Sequence, residues 1–454
     1  MKKSILLLII CCFIGCSKEL ELKPNSTILV PETIQDFEQL LDNTAVLNTT
    51  PGLAQLSADE YFIPSLQAWN SLPNLTQRNA YIWSKDIYQG ETEIWDWAAP
   101  FSGIFYCNSV LDILQKQDIR NDAEKKNIQG WALFARAYCF YSLVSIFSRG
   151  YDPATANTDL GLPLKLSSDI KKIVQRNSVQ ATYDQIITDV LMAAELLKAE
   201  ATTDKRNRPS KVAAYALLSR VYLSMRIYDE AEVYVDKALL LCPKLLDYNT
   251  LTVLPGRSSF TYNSPETIYF TQQAAKYTET TFSSSVLYGV DTSLIALYGA
   301  DDLRMSIYFR RNAIGNYGLR PINNVAPNPF TGLATDELYL IKAECLARRN
   351  HKEAALLYLN KLLEKRVKTG TFKPIIAVDI DETLQLILTE RRKSLVWRSL
   401  RWTDLKRLNL ESRNITVTRN MGGHIYELEP NSLLYVLPIP NDEVKLSGIT
   451  QNER

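Results

Sequence analysis

Tyr215-Ala216-Leu217-Leu218-Ser219-Arg220-Val221-Tyr222 continues through Tyr228-Asp229-Glu230-Ala231 to Val235, Ala238 and Pro243. Large apolar and aromatic residues recur here three and four positions apart, the period of a helix with one packed face. The stretch Lys211 to Leu241 therefore reads as helical, with Tyr228 to Ala231 as the turn into a second helix. Ser219, Ala231 and Ala238 are small, which lets the paired helices approach closely. This hairpin sets the expectation for the rest of the chain: a mostly α protein.

The offsets match the tetratricopeptide (TPR) consensus of a large residue, Leu, Gly, Tyr, Ala, Phe and Pro. A weaker copy runs through Leu338, Ile341, Cys345, Ala354 and Tyr358, and residues 95–147 and 380–410 read as further helix pairs. More than ninety residues separate the two clear copies, so a simple solenoid is not expected. Elsewhere Thr33 to Leu41 reads as a short helix capped by Thr33. Glu91 to Gln115, Ala123 to Phe147 and Val179 to Leu197 carry helical spacing. Residues 43–90, 149–177 and 249–334 read as irregular.

The chain has 454 residues, with 51 Lys+Arg against 50 Asp+Glu. No basic excess exists to displace counterions from a phosphate backbone, so nucleic acid is not an expected partner. At 46% hydrophobic and 22% charged the composition is that of an ordinary globular protein. With only His351 and His424 present, chemistry that needs several histidines is nearly excluded.

Lys2 and Lys3 precede an apolar run from Ile5 to Ile14, too short to span a bilayer and typical of a secretory signal. It ends Phe13-Ile14-Gly15-Cys16, which resembles a bacterial lipobox, with Phe13 where Leu is usual. Residues 1–15 are expected to be removed, Cys16 to carry lipid and residues 16–30 to form a tether. Lys18-Glu19 resembles a short surface-export tag. No other stretch approaches 18 apolar residues, so no second membrane segment is expected. Cys107, Cys139, Cys242 and Cys345 remain, without metal spacing, and read as buried free thiols.

Three motifs, with the lipobox and the dispersed helix pairs, resemble the SusD/RagB family of outer-membrane nutrient-binding lipoproteins. The first is Phe101, Ile104, Asn108 and Leu111, preceded by Trp97. The second is Phe134-Ala135-Arg136-Ala137-Tyr138 with Tyr141 and Leu143, leading to Phe147-Ser148-Arg149-Gly150 and Gly161-Leu162-Pro163-Leu164. The third is Glu390-Arg391, Arg401-Trp402, Asp404-Leu405 and Arg407, closed by Leu437-Pro438-Ile439-Pro440 and Gln451-Asn452. Arg398-Ser399 stands where the family usually has Glu-Gly, so no role of that Glu carries over. The resemblance implies a SusD-like fold in which TPR-like pairs form the scaffold and irregular loops with short strands form the ligand face. Its regions are 31–248, an aromatic-rich 249–334 and a C-terminal 335–454. It further implies capture of a glycan or peptide at the cell surface of a Gram-negative bacterium, and delivery to a TonB-dependent (SusC-like) outer-membrane transporter. It implies no catalysis, cofactor or metal.

Residues 61–106 hold eleven aromatics in 46 residues, or 24%, against 10% overall. Trp97, Phe101 and Phe105 share a helical face and read as core. A rigid ring in a loop can meet the C–H face of a sugar at little entropic cost, with Asp59, Asn70 and Asn74 near enough in sequence to take hydroxyls. Residues 59–90 and 255–320 are both irregular and aromatic-rich, and are expected to converge on one exposed platform. Its rings are Tyr61, Trp69, Trp83, Tyr277 and Tyr288, with Asp59 and Asn70 as polar partners. Two other classes compete: an intracellular TPR scaffold, which the signal argues against, and a secreted helical glycosidase with two carboxylates. Glu390 and Asp404 sit among arginines, where pairing depresses carboxylate pKa rather than raising it. Neither histidine lies near a nucleophile motif. Asp379, Asp381 and Glu382 read as helix capping ahead of Leu384 rather than as a calcium site.

Overall fold

The structure is a computed structural model that describes residues 31, 33–117, 122–199, 204–254, 258–281, 285–320 and 328–454. The expected signal (residues 1–15), the lipidated Cys16 and the tether to residue 30 lie outside the described residues. Within them are seventeen helices and twelve strands of two to five residues, the strands grouped in six two-stranded sheets. Helix dominates, as the sequence predicts.

The long helices are α1 (Trp95–Leu114), α2 (Ala123–Phe147), α3 (Val179–Leu196), α4 (Lys211–Ser224), α5 (Tyr228–Leu241), α6 (Thr335–Arg348), α7 (Lys352–Glu364), α8 (Ile380–Ser394) and α9 (Arg401–Asn409). Each packs on its neighbour: α1 on α2, α2 on α3, α3 on α4, α4 on α5, and α6 on α7 and α8. α5 also packs on α6 although residues 242–334 intervene, so repeats scattered in sequence stack in space. The break between α4 and α5 falls at Met225–Ile227, where Arg226 takes a φ of 64°, rather than at Tyr228–Ala231, which forms the first turn of α5. At 25 residues α2 is long and apolar enough to cross a membrane, contrary to the reading of the sequence, but 89% of its most apolar window is buried inside the protein. Its apolar surface serves the core.

The motif residues bind these helices together. Arg136 on α2 donates to both oxygens of Asp189 on α3, at 2.7 and 2.8 Å, and to Asn108 Oδ1 on α1 at 2.9 Å. Asn108 in turn donates to Lys165 and Ser167 carbonyls, which fixes the following loop. Arg407 on α9 grips Glu344 on α6 at 2.6 and 2.9 Å and Asp404 at 2.7 Å, while Arg391 on α8 donates to Asp404 at 2.9 Å. Burial alone would raise the Glu344 carboxyl, but Arg407 and Arg348 hold it at about 2. Gln451 brackets Ile439, bonding both its N–H and its carbonyl, and Asn452 donates to Phe147 and Leu437 carbonyls. The C-terminal segment thereby closes the end of α2. Asp379 caps α8, accepting from Glu382 N at 2.8 Å, and Thr33 caps its helix in a reciprocal box with Asp36. Cys107, Cys139 and Cys345 are buried free thiols and Cys242 is half-buried.

Two expectations need correction. Residues 43–90 are not irregular: they hold short helices Thr44–Leu47, Leu53–Ser57, Leu66–Asn70 and Leu75–Tyr81, too short to show a helical period. The aromatics of 249–334 are mostly packing groups, with Tyr269, Tyr288, Tyr308 and Phe309 buried in the same core as Phe134 and Trp397.

Candidate functional site

Tyr61–Phe62 pairs antiparallel with Gly289–Val290, so the two aromatic-rich segments do meet. The expected platform does not form from the rings assigned to it. Tyr61, Trp83, Tyr277 and Tyr288 are between 0 and 5% exposed. Tyr61 lies 6.4 Å from Tyr288 and 6.1 Å from Trp397, centroid to centroid, and its hydroxyl donates to Leu56 O. Trp83 donates to Ser57 O at 2.9 Å, and Tyr288 accepts from Leu319 N at 2.9 Å. The guanidinium of Arg419 stacks over Tyr61, Tyr81 and Trp83 and donates to the carbonyls of Tyr61 and Ala58. Tyr61, Trp83 and Tyr288 thus have protein partners at their polar edges and protein neighbours on their faces, and they leave no surface for a ligand. Asp59 is likewise committed. Burial would raise its carboxyl, yet Arg401, bound through both oxygens at 2.7 and 2.8 Å, and Arg392 hold it well below the usual range. Of the seven assigned residues, half-buried Trp69, whose N–H donates to Arg78 O at 3.0 Å, and exposed Asn70 are not tied up in this way.

An open groove lies where residues 74–95 face residues 276–277. Its cavity measures about 260 Å³ and is lined by Asn74, Thr76, Glu91, Glu93, Trp95, Lys276 and Tyr277, among others. The backbone around it is unusual: Gln89, Gly90 and Glu93 take φ values of 45°, 88° and 55°. Glu91 is thereby turned back onto the helix that starts at Leu75. Its carboxylate accepts from Leu75 N at 2.9 Å, Thr76 N at 3.0 Å and Thr76 Oγ1 at 2.5 Å. Glu91 thus caps this helix, and Asn74 at the cap position makes no side-chain cap bond. The Asn74 amide is free to face the groove.

Trp95 opens α1 but sits off its buried face, which begins with Asp96, Trp97 and Pro100. It is half-buried, and among the described residues its ring forms no aromatic pair and its N–H no hydrogen bond. Directly beneath, Asp96 accepts from Gly52 N at 2.6 Å, Leu53 N at 2.9 Å and Tyr277 Oη at 2.5 Å. Burial pushes the Asp96 carboxyl up, and those three donors counter it. This knot holds Tyr277 as the groove's floor and joins α1 to the 276–277 segment of the wall. Gly52 has no room for a side chain: a Cβ there would meet Tyr277 Cδ2 at 2.6 Å. Lys276, exposed and without an ion-pair partner among the described residues, supplies a mobile cation at the rim. A single accessible indole between an amide, an ammonium and the Glu93 carboxylate suits a polar ligand with an apolar ring face. Trp95 and Lys276 were not assigned from the sequence; the signal for Trp95 was its place outside the Trp97 and Phe101 stripe.

Comparison with known proteins gives a consistent likeness. A family described as starch-binding and associating with the outer membrane matches residues 19–223, and a family described as the SusD family matches residues 335–454. A SusD-like protein P2 of Formosa agariphila is 25% identical, the match covering 74% of this chain and 75% of that one. Among solved structures, a SusD superfamily protein of Bacteroides thetaiotaomicron has a TM-score of 0.75 at 19% identity, covering 93% of this chain and 100% of its own. A protein described as a putative sugar binding protein from Bacteroides vulgatus has a TM-score of 0.73 at 20% identity, with 93% and 99% covered. At these identities the structural likeness establishes the fold alone.

Proposed function

Because the chain belongs to the SusD family, we propose that it captures a nutrient glycan in the groove beside Trp95 and passes it, unhydrolysed, to a TonB-dependent outer-membrane transporter. Cys16 carries the lipid that holds the protein on the outer face of the outer membrane, and the stacked helix pairs give the groove a stiff support. The observation that carries the binding site is the accessible Trp95 ring, held between free polar groups in a molecule where Tyr61, Trp83 and Tyr288 are packed. Loops on a rigid scaffold are the usual place for such a site. Capture rather than hydrolysis is favoured because Glu91 is taken up by three donors in capping the helix at Leu75, which leaves Glu93 without a second free lining carboxylate for the paired work of a glycosidase.

The test is an array of glycans and peptides probed with the mature protein, followed by product analysis of each bound glycan. Binding of an intact oligosaccharide supports the reading. Binding only to peptides moves the ligand to the other class, and released sugars overturn the assignment as a non-catalytic protein.

A further inference from the structure

A second cavity, separate from the Trp95 groove, lies between the 260–270 segment, α6 and the loop after α8, and measures about 70 Å³. Phe260, Phe270, Tyr308 and Phe330 give it apolar walls. Among the hydroxyl-bearing residues that line it are Ser264 and Thr267, which are only 7% and 8% exposed. Neither hydroxyl has a hydrogen-bond partner among the described residues, although their backbones bond each other and Thr261. Their oxygens open into the pocket, where each is available to bond an occupant seated against the aromatic walls.

Charge and size narrow the occupant. The ionic groups at the pocket are already matched: Arg366 holds Glu266 at 2.6 Å, and Arg398 faces Asp336 at 3.4 Å. A net charge brought into this balanced, buried setting would go unpaired at a large desolvation cost, so the occupant is neutral. The cavity is well below the roughly 150 Å³ that accepts a benzene ring, so a whole sugar ring does not enter. It has room for a compact group with a methyl for the aromatic walls and a carbonyl to accept from Ser264 or Thr267.

We propose that this pocket binds the acetamido group of an N-acetylated sugar, whose ring rests at the mouth beside half-buried Phe260 and exposed Thr261. The sugar as carrier rests on the glycan-capture reading above; the pocket's selectivity for the acetamido group is a separate claim. It makes the protein prefer N-acetylated glycans over their unsubstituted counterparts.

Saturation-transfer NMR with methyl N-acetylglucosaminide and methyl glucoside tests it on the mature chain. The expected result is strong transfer to the acetamido methyl, little to the plain glucoside, and loss of the methyl signal in Ser264→Val. Thr261→Trp, at an exposed position that does not threaten folding, plugs the mouth and removes the signal too. Trp95→Ala leaves it intact. Equal transfer from both sugars, or a methyl signal that survives both pocket variants, overturns the proposal. A methyl signal lost in Trp95→Ala alone places the acetamido group in the Trp95 groove and overturns it as well. Failure of the capture reading looks different: the pocket signal persists while no oligosaccharide binding depends on Trp95.

Discussion

Glu60 should make this protein's stability fall between acid and neutral pH, and Glu60→Gln should abolish that fall. The side chain is 1% exposed. Its carboxylate accepts from Gln55 Nε2 at 2.8 Å and from Trp397 N at 3.2 and 3.3 Å, which ties the 55–61 segment to the loop before α9. Burial is the main influence and pushes the carboxyl up to about 7; the Gln55 bond opposes this and the neighbouring Asp59 charge adds to it. The folded pKa therefore exceeds the unfolded one, near 4.5. The folded state prefers the protonated form, so full stability is present below pH 4.5 and is lost as pH rises to about 7. A shift of this size corresponds to about 3 kcal/mol at pH 8, shrinking to about 1 kcal/mol at pH 5. Glutamine keeps the shape without the charge. Gln55 Oε1 is buried without a partner, so a flipped Gln55 amide accepts from the new N–H. Urea unfolding of both proteins at pH 5, 6, 7 and 8 measures the effect. The variant should be the more stable by about 3 kcal/mol at pH 8, with the gap closing toward pH 5. Parallel pH profiles would refute the reasoning.

Three further outcomes follow from named contacts. Tyr288→Ala, which empties a site packed against Tyr61 and Trp397, should cost about 3–5 kcal/mol in urea unfolding; a change within experimental error would show that the ring is not a packing group. Arg220→Met strands Glu337, which it grips through both oxygens at 2.6 and 2.8 Å, and should cost about 3–5 kcal/mol, much of it recovered by adding Glu337→Gln. Urea titration of both single variants and the double variant gives the coupling, and strict additivity would contradict it. Cys16→Ala should move the protein from membrane to soluble fractions, and unchanged retention would remove lipidation from the account.

The helices were legible because their information is local. Ala123 to Phe147 matches α2 at both ends, since a long periodic run needs no partner to be seen. The short helices of residues 44–81 escaped because four to seven residues span only one to two turns, too few for a 3.6-residue repeat to show. The platform rings failed for a different reason. Tyr61, Tyr288 and Trp397 pack together from positions more than one hundred residues apart, and nothing local distinguishes a ring destined for that cluster from an exposed one. Convergence of the two segments was readable from their shared character. Which ring stayed accessible was not, because Trp95 owes its exposure to the turn at Gln89–Glu93 and to the Asp96 knot beneath it. Glu390 and Asp404, by contrast, revealed their structural role through the charges beside them.

The most direct test of glycan capture is isothermal titration of the preferred oligosaccharide into wild type, Trp95→Phe and Trp95→Ala at constant salt and pH, with a melting curve for each. Loss of a stacked ring is worth about 1–3 kcal/mol. Trp95→Ala should therefore weaken binding by about 5- to 150-fold with little change in melting, and Trp95→Phe should fall between the two. Unchanged affinity in Trp95→Ala, with the protein folded, would contradict the account and place the capture site elsewhere.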